Sequence, residues 1–341
     1  MRRTLQLIMV LAIAVSIASV VSHILAAWLG IETQTGRSWQ IGPANGQPPA
    51  YLAGSSLSGD AISWDLVSTQ LNQRIGGWGV AGSSPWEWDA YQRKAPSTSL
   101  TILVVSPYDL NDQFLCDFHA NVVPAADTIR DLWRSGADWQ FSKRVLSQYP
   151  LMCLRVLFPT AGRSRGLIGE LHDKLSKALG FSAAGNAEAG PTLALGKETS
   201  VKDYKKEKIS SWPKATLLRR LASLRSSCQG RHAFDGPKKL AFERMLSRAQ
   251  EHGQVIVVVL PVSPCYAAEF LDPDVTRRFE NALADAQRTV PQARWVRLDQ
   301  LPELNSNECF WDLVHMNPDG QRIATEAFLN RLPTLSSSNQ P

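Results

Sequence analysis

Two segments of this chain, Leu100–Val105 (LTILVV) and Gln254–Leu260 (QVIVVVL), are apolar and β-branched almost throughout. A strand with one wet face alternates apolar and polar residues. An unbroken run belongs to a strand buried on both faces, as in a parallel sheet between helical layers. Weaker signals around these two repeat the pattern. Pro49–Gly54 reads as a short strand, followed by a helix over 60–71, and Ile75–Val80 reads as a strand with glycines. Ser84-Pro85-Trp86-Glu87 opens a helix, with serine at the N-cap, proline first and glutamate in the first turn. A helix over 273–289, a last strand over 293–298 and an amphipathic helix over 318–332 complete the series. Strands alternating with helices imply an α/β domain: three layers, α/β/α, around a mostly parallel sheet.

The ends and the middle depart from that rhythm. Met1-Arg2-Arg3 precedes an apolar run from Leu7 to Leu29, interrupted mainly by His23. At about 1.5 Å per residue such a run spans a hydrocarbon core of ~30 Å. It is longer than the apolar region of a cleaved signal and lacks a clear small-x-small site, and it ends beside Trp28 at interface depth. The expectation is an uncleaved N-terminal transmembrane helix within residues 1–30. Arg2 and Arg3 place the N-terminus in the cytoplasm and the remainder across the membrane. Residues 31–48 read as a linker, 49–333 as the α/β domain, and 334–341 as a disordered tail. A helical insertion, roughly 118–250, interrupts the domain, with a weakly patterned centre at 182–200. No internal repeat is present.

Composition sets limits without choosing a function. The 341 residues are 44% hydrophobic and 20% charged, with a net charge of +5 that is spread along the chain. The densest basic stretch, residues 202–208, is broken by Asp203 and Glu207, and no nucleic-acid motif is present, so a nucleic-acid partner is not expected. Cys116, Cys153, Cys228, Cys265 and Cys309 have no metal-ligand spacing, and no other cluster suggests a metal. Their number fits an exported domain with one or two disulfides bracing its loops, and equally a set of buried free thiols. No cofactor is called for.

In a sheet of this kind, functional residues collect at the carboxyl ends of the strands. After the first strand comes Gly54-Ser55-Ser56-Leu57, and after the last comes Asp312-Leu313-Val314-His315. A serine on a tight strand-to-helix turn is a nucleophile if a histidine can take its proton. A carboxylate three residues before that histidine can hold the imidazole in one tautomer. After the second strand comes Val80-Ala81-Gly82-Ser83, and after the third Asp109-Leu110-Asn111-Asp112. Trp86, Trp88, Trp311 and Tyr266 lie close to these segments; as flat rings at a site mouth they would stack on sugars, and the other reading is packing beneath the helices. His119 and His232 read as ordinary polar histidines.

This ordered set resembles the SGNH/GDSL hydrolase superfamily over residues 49–116 and 250–332, with the insertion outside it. The resemblance implies a flavodoxin-like sheet, Ser56 as nucleophile, His315 as base and Asp312 as its orienting acid. It implies an oxyanion hole formed by the Ser56 and Gly82 backbone N–H groups and the Asn111 amide. Trp86, Trp311 and Tyr266 become candidate substrate contacts. Block one reads GSSL, with Ser55 where the family name has Asp. This form is similar to the membrane-anchored DltD-like and alginate-acetylation-like branch of envelope acylation. Block three reads DLND in place of GxND, which makes Asp109 the alternative polar group there.

The expected function is an extracytoplasmic serine esterase or O-acyltransferase on acyl, most simply acetyl, esters of an envelope polysaccharide. The resemblance implies an integral membrane O-acyltransferase as partner. Two other readings stand beside it: a small-ester or lipid hydrolase, and a catalytically silent scaffold that binds glycan or an export or acylation complex.

Overall fold

The computed structural model describes residues 2–29, 38–41, 49–78, 82–95, 97–150, 154, 207–228 and 232–332. The chain divides into two compact units, one of Met1–Thr35 with Lys143–Leu195, the other of Gly36–Ser142 with Gly196–Pro341. In the first unit, Arg2–Leu29 is a single helix, α1. The expected span of 7–29 falls partly outside the described side chains; among the described residues no helix is long and apolar enough to cross a membrane. The expected tail at 334–341, Cys153 and the centre of the insertion at 182–200 lie outside the described residues.

The second unit is built on a six-stranded sheet. Its strands are β1 (Ser38–Ile41), β2 (Ala50–Ala53), β3 (Ile75–Trp78), β4 (Leu100–Val105), β5 (Gln254–Val259) and β6 (Arg294–Arg297), in the order β1-β3-β2-β4-β5-β6. The last five in chain order run parallel, and β1 pairs antiparallel with β3 at the edge. β1 is a correction to the sequence reading: four residues of the presumed linker are a sheet edge. Numbered among themselves, the five parallel strands run 2-1-3-4-5. This doubly wound order reverses direction between β2 and β4 and opens a crevice at their carboxyl ends.

Burial explains the strand sequences. All six residues of β4 and five of the six in β5 are buried. Successive side chains alternate between two cores. On one face, Leu52, Ile102, Val104, Ile256 and Val258 meet α2 (Ser56–Ala61), α3 (Trp64–Leu71) and the last helix, Pro318–Leu329. On the other, Tyr51, Ala53, Leu103, Val105 and Val257 meet Trp88 of α4 (Pro85–Gln92), Phe242 and Met245 of a helix at Pro237–His252, and Phe279 and Leu283 of one at Pro273–Thr289. The expected single helix at 60–71 is two: Ile62 and Ser63 break it, and the Ser63 N–H is satisfied by the Thr325 hydroxyl at 3.0 Å.

Between β4 and β5 lie α5 (Pro107–Leu110), α6 (His119–Val122), α7 (Ala125–Arg134), α8 (Trp139–Leu146), α9 (Lys214–Ser227) and then the Pro237–His252 helix, α10. Although it lies within the stretch read as an insertion, α10 is part of the layer that covers the sheet. The chain leaves the sheet and returns to it at one point. The Asp112 N–H donates to Ala233 O, and the Asp112 carboxylate accepts from the N–H groups of Gly236 and Lys238, each at 2.9 Å. The buried Lys238 ammonium donates to the carbonyls of Asn111 at 2.8 Å and Phe114 at 2.7 Å. A Cβ at Gly236 would lie 2.5 Å from Asp112 Oδ2, so a side chain there would displace that carboxylate. We call this set of bonds the clasp.

Candidate active site

Ser56 is the first residue of α2. Ser55, the N-cap, accepts the Leu57 N–H at 3.2 Å, and its carbonyl accepts both the N–H and the hydroxyl of Ser58. The turn is tight enough to require glycine before it: a Cβ at Gly54 would sit 2.6 Å from the Ser58 side chain. Ser56 is left half-buried at the carboxyl end of β2, beside the crevice.

The second half of the site is a closed loop. Phe310 and Met316 bridge antiparallel, Trp311 N–H donates to His315 O, and Ser263 N–H donates to Leu313 O. Inside it, Asp312 Oδ1 accepts the N–H groups of Val314 at 2.9 Å and His315 at 2.7 Å, a local Asx arrangement that fixes the carboxylate against its own backbone. The far end of Asp312 faces His315 Nδ1, 2.8 Å from Oδ2 and 3.0 Å from Oδ1. His315 Nε2 lies 2.9 Å from Ser56 Oγ. With Nδ1–H donating to the carboxylate, Nε2 is the basic nitrogen and accepts the serine hydroxyl. Burial works to raise the Asp312 pKa. The charge and hydrogen bond of His315, with the two backbone N–H groups, outweigh it and hold the carboxyl below the ordinary aspartate range. Asp312 is therefore ionised wherever His315 can act as a base. The His315 and Asp312 side chains are 20% and 24% exposed, so the chain of hydrogen bonds is screened but reachable.

Block three presents a layered arrangement. Asn111 is fully buried, and its Oδ1 accepts the N–H groups of Gln113 at 3.2 Å and Ala233 at 3.1 Å. With the oxygen end so used, only the NH2 end can serve an oxyanion. Asp109 is buried next to it and accepts the Ser106 hydroxyl at 2.8 Å. Burial pushes its pKa up to about 6, against the hydroxyls of Ser55 and Ser106. The Asp109 carboxyl thus feels the hydroxyl of Ser55, the N-cap of α2. Gly82 has φ +78, the left-handed region that favours glycine, and precedes Ser83, whose hydroxyl accepts the Trp88 indole N–H at 2.8 Å. Residues 79–81 lie outside the described residues.

Two expected substrate contacts are corrected. Trp86 is 2% exposed: its indole N–H donates to Asp131 at 3.0 Å and its ring packs against His119. Tyr266 is fully buried, with its hydroxyl 3.1 Å from His232 Nε2. Neither can stack on a sugar. Trp88 is also fully buried. Trp311 is half-buried and does lie in the site, stacked on His315. His232, boxed by Phe114, Phe234, Tyr266 and Phe270, has its pKa pushed down to about 4 by burial and by Arg278, so it is neutral near pH 7.

Sequence reasoning did not find Asp60, which accepts the Trp311 indole N–H at 3.3 Å, or Lys238, which fixes block three through Asn111 O. Asp60 is four residues after Ser56, one helical turn on, and that spacing was the available signal. Nothing in the sequence marks Lys238. Of the cysteines, Cys265 and Cys309 are free thiols; burial pushes the Cys116 thiol above its usual range. Among the described residues, no group of His, Cys, Asp and Glu side chains could hold a metal ion.

No protein-family model matches the chain, and no curated protein matches it in sequence.

Proposed function

We propose that this protein is an SGNH-type serine esterase or O-acyltransferase, held at a membrane by residues 7–29, with its α/β domain on the extracytoplasmic side. Its substrate is an acyl ester, most simply an acetyl ester, of an envelope polysaccharide. The observation that carries the reading is the unbroken chain Asp312–His315–Ser56, with hydrogen bonds of 2.8 and 2.9 Å at a strand-end crevice. The motif order and the GSSL form add support for the family and the substrate class.

Ser56 Oγ attacks the ester carbonyl as its proton passes to His315 Nε2, and the carbonyl π pair moves onto oxygen. The Ser56 N–H, the Gly82 N–H and the Asn111 amide meet that oxyanion; one such donor contributes about 2.7–4 kcal/mol. The tetrahedral intermediate collapses, the C–O bond to the sugar breaks, and His315 returns the proton to the departing hydroxyl. Water or a second sugar hydroxyl then attacks the acyl-Ser56, giving its proton to His315. Release of Ser56 Oγ takes that proton back. Water makes the protein an esterase; a sugar hydroxyl makes it a transferase, whose acyl group an integral membrane partner would supply.

The test is labelling of the detergent-extracted full chain with a fluorophosphonate, alongside hydrolysis of an acetyl ester reporter. Labelling that is lost in Ser56→Ala supports the reading. Wild-type protein that neither labels nor turns over ester, while Ser56→Ala supports normal glycan acylation in cells, replaces it with the scaffold reading.

A further inference from the structure

The Ser56–His315–Asp312 line accounts for two edges of the imidazole but not for its face. The Trp311 ring lies on that face, with centroids 5.0 Å apart and planes inclined by 21°. The indole is held at both ends. Its backbone N–H is bonded to His315 O across the closed loop, and its ring N–H donates to Asp60 Oδ2 at 3.3 Å. Asp60 belongs to α2, whose first residue is Ser56, and the carbonyl of the preceding residue, Gly59 O, is bonded by the Gln321 amide. α2 therefore meets His315 twice, directly through Ser56 and indirectly through Asp60 and Trp311.

We propose that Trp311 is a positioning residue for His315, and that Asp60 holds and polarises its indole so that the ring supports the imidazolium formed during acyl transfer. The inference rests on the functional reading above. A base held only through its edges can still rock about the Nδ1–carboxylate line, moving Nε2 away from the serine. A ring packed on its face removes that freedom. The same ring favours the charged form, since a cation within about 6 Å of an indole centroid is attracted by the π face. Donation of the indole N–H to a carboxylate makes that face more negative. Ser56 and, through the indole, Asp60 face His315 from α2, and Asp312 faces it from its own loop; Tyr108 of α5 lies near enough for its hydroxyl to feel the Asp312 charge. One face of Trp311 is thus committed to the histidine. This role differs from the expected one of stacking on substrate.

The experiment separates the two roles. Fluorophosphonate carries no glycan, so its labelling rate reads the activation of Ser56 alone. In the full chain in detergent, Trp311→Ala labels roughly 3- to 30-fold more slowly, and the acid limb of its pH–rate curve moves to lower pH because the imidazolium is less favoured. Trp311→Phe, which keeps a ring on the histidine, recovers most of the rate. Asp60→Asn, which keeps an acceptor without the charge, shifts the limb less and in the same direction. If Trp311→Ala labels at the wild-type rate with an unmoved limb and only raises KM for a glycan ester, the positioning role is wrong. Should Trp311→Ala fail to fold, Asp60→Asn carries the decision by the same criterion. NMR titration of the His315 imidazole in wild type and Asp60→Asn reads the stack without any turnover. A lower pKa in the variant supports the inference and an equal one overturns it, even if Ser56 proves to do no chemistry.

Discussion

Among the described residues a similar set of side chains occurs in two places. At the sheet end, Asp312 holds His315 and His315 reaches Ser56, with Trp311 on the imidazole face and Asp60 on the indole N–H. In the layer beneath α4, Glu87 lies 2.5 Å from His119 Nδ1 and His119 Nε2 lies 2.9 Å from the Thr128 hydroxyl. There too a tryptophan, Trp86, packs against the imidazole, with centroids 4.2 Å apart but planes inclined by 52°, and donates its N–H to an aspartate, Asp131. What separates the two is access. The His315 side chain is 20% exposed and that of His119 is 3%; Thr128 is wholly buried, so no carbonyl can approach it. The second copy is a polar core. Ser84 donates its N–H and hydroxyl to Glu87, completing the capping box of α4. Burial works to raise the Glu87 pKa, yet the His119 hydrogen bond and charge, with the Ser84 hydroxyl, hold it below the ordinary range. A carboxylate–imidazole–hydroxyl chain is therefore a structural unit in its own right. It becomes a site only where the hydroxyl faces a space that a substrate can enter.

That contrast can be broken by substitution, and the largest effect is expected at the open copy. Ser56→Ala should lower kcat for an acetyl ester by about 10⁶-fold, with thermal unfolding close to wild type, because a half-buried turn serine adds little to the core. Next comes the closed copy. Glu87→Gln should leave the labelling chemistry of Ser56 intact but cost about 3–5 kcal/mol of stability in urea unfolding at neutral pH, as expected for one broken partner of a buried pair. A depressed carboxyl pKa contributes stability above its unfolded value and loses it as pH falls through the folded one. The gap between Glu87→Gln and wild type should accordingly narrow towards acid; a gap that widens would show that His119 does not hold the Glu87 charge.

Asn111→Ala should slow turnover about 10²–10³-fold as one lost oxyanion donor. A silent Asn111→Ala beside a severe Asp109→Ala would move the block-three role onto the carboxyl under Ser55. The smallest effect is Thr128→Ala, which should cost about 1–3 kcal/mol for the unpaired His119 Nε2 and leave kcat unchanged. Loss of activity at wild-type stability in that variant would erase the distinction between the two copies.

The parts of this fold that are local were legible in the residues. The buried strands declared themselves because an all-apolar run can only lie between two layers. The turn at Gly54–Ser55–Ser56 and the Asp312–His315 loop were legible because their bonds span two or three residues. What depends on distant partners was not. Trp86 and Trp88 both face protein because α4 is buried from Pro85 through Tyr91, enclosed by α10 on one side and α6 on the other. No spacing within WEWDAY reveals that enclosure. β1 is four residues in a polar stretch, paired along one edge only, and such a strand has too few contacts to leave a pattern. Lys238 contacts carbonyls 127 and 124 positions away, which local periodicity cannot encode.

The clasp has one more consequence, for the integrity of the chain. The polypeptide departs at Asn111–Asp112 and re-enters at Ala233–Lys238 through contacts that do not depend on the path between. A single break in the backbone between Asp112 and Ala233 would make one chain into two fragments without touching the β4–β5 ladder, Leu100 against Gln254 through Val105 against Val259. Ser56 would remain on the first fragment and His315 on the second, still facing each other. The hydrogen-bonded line from Asp312 to Ser56 is in that sense a two-piece assembly already.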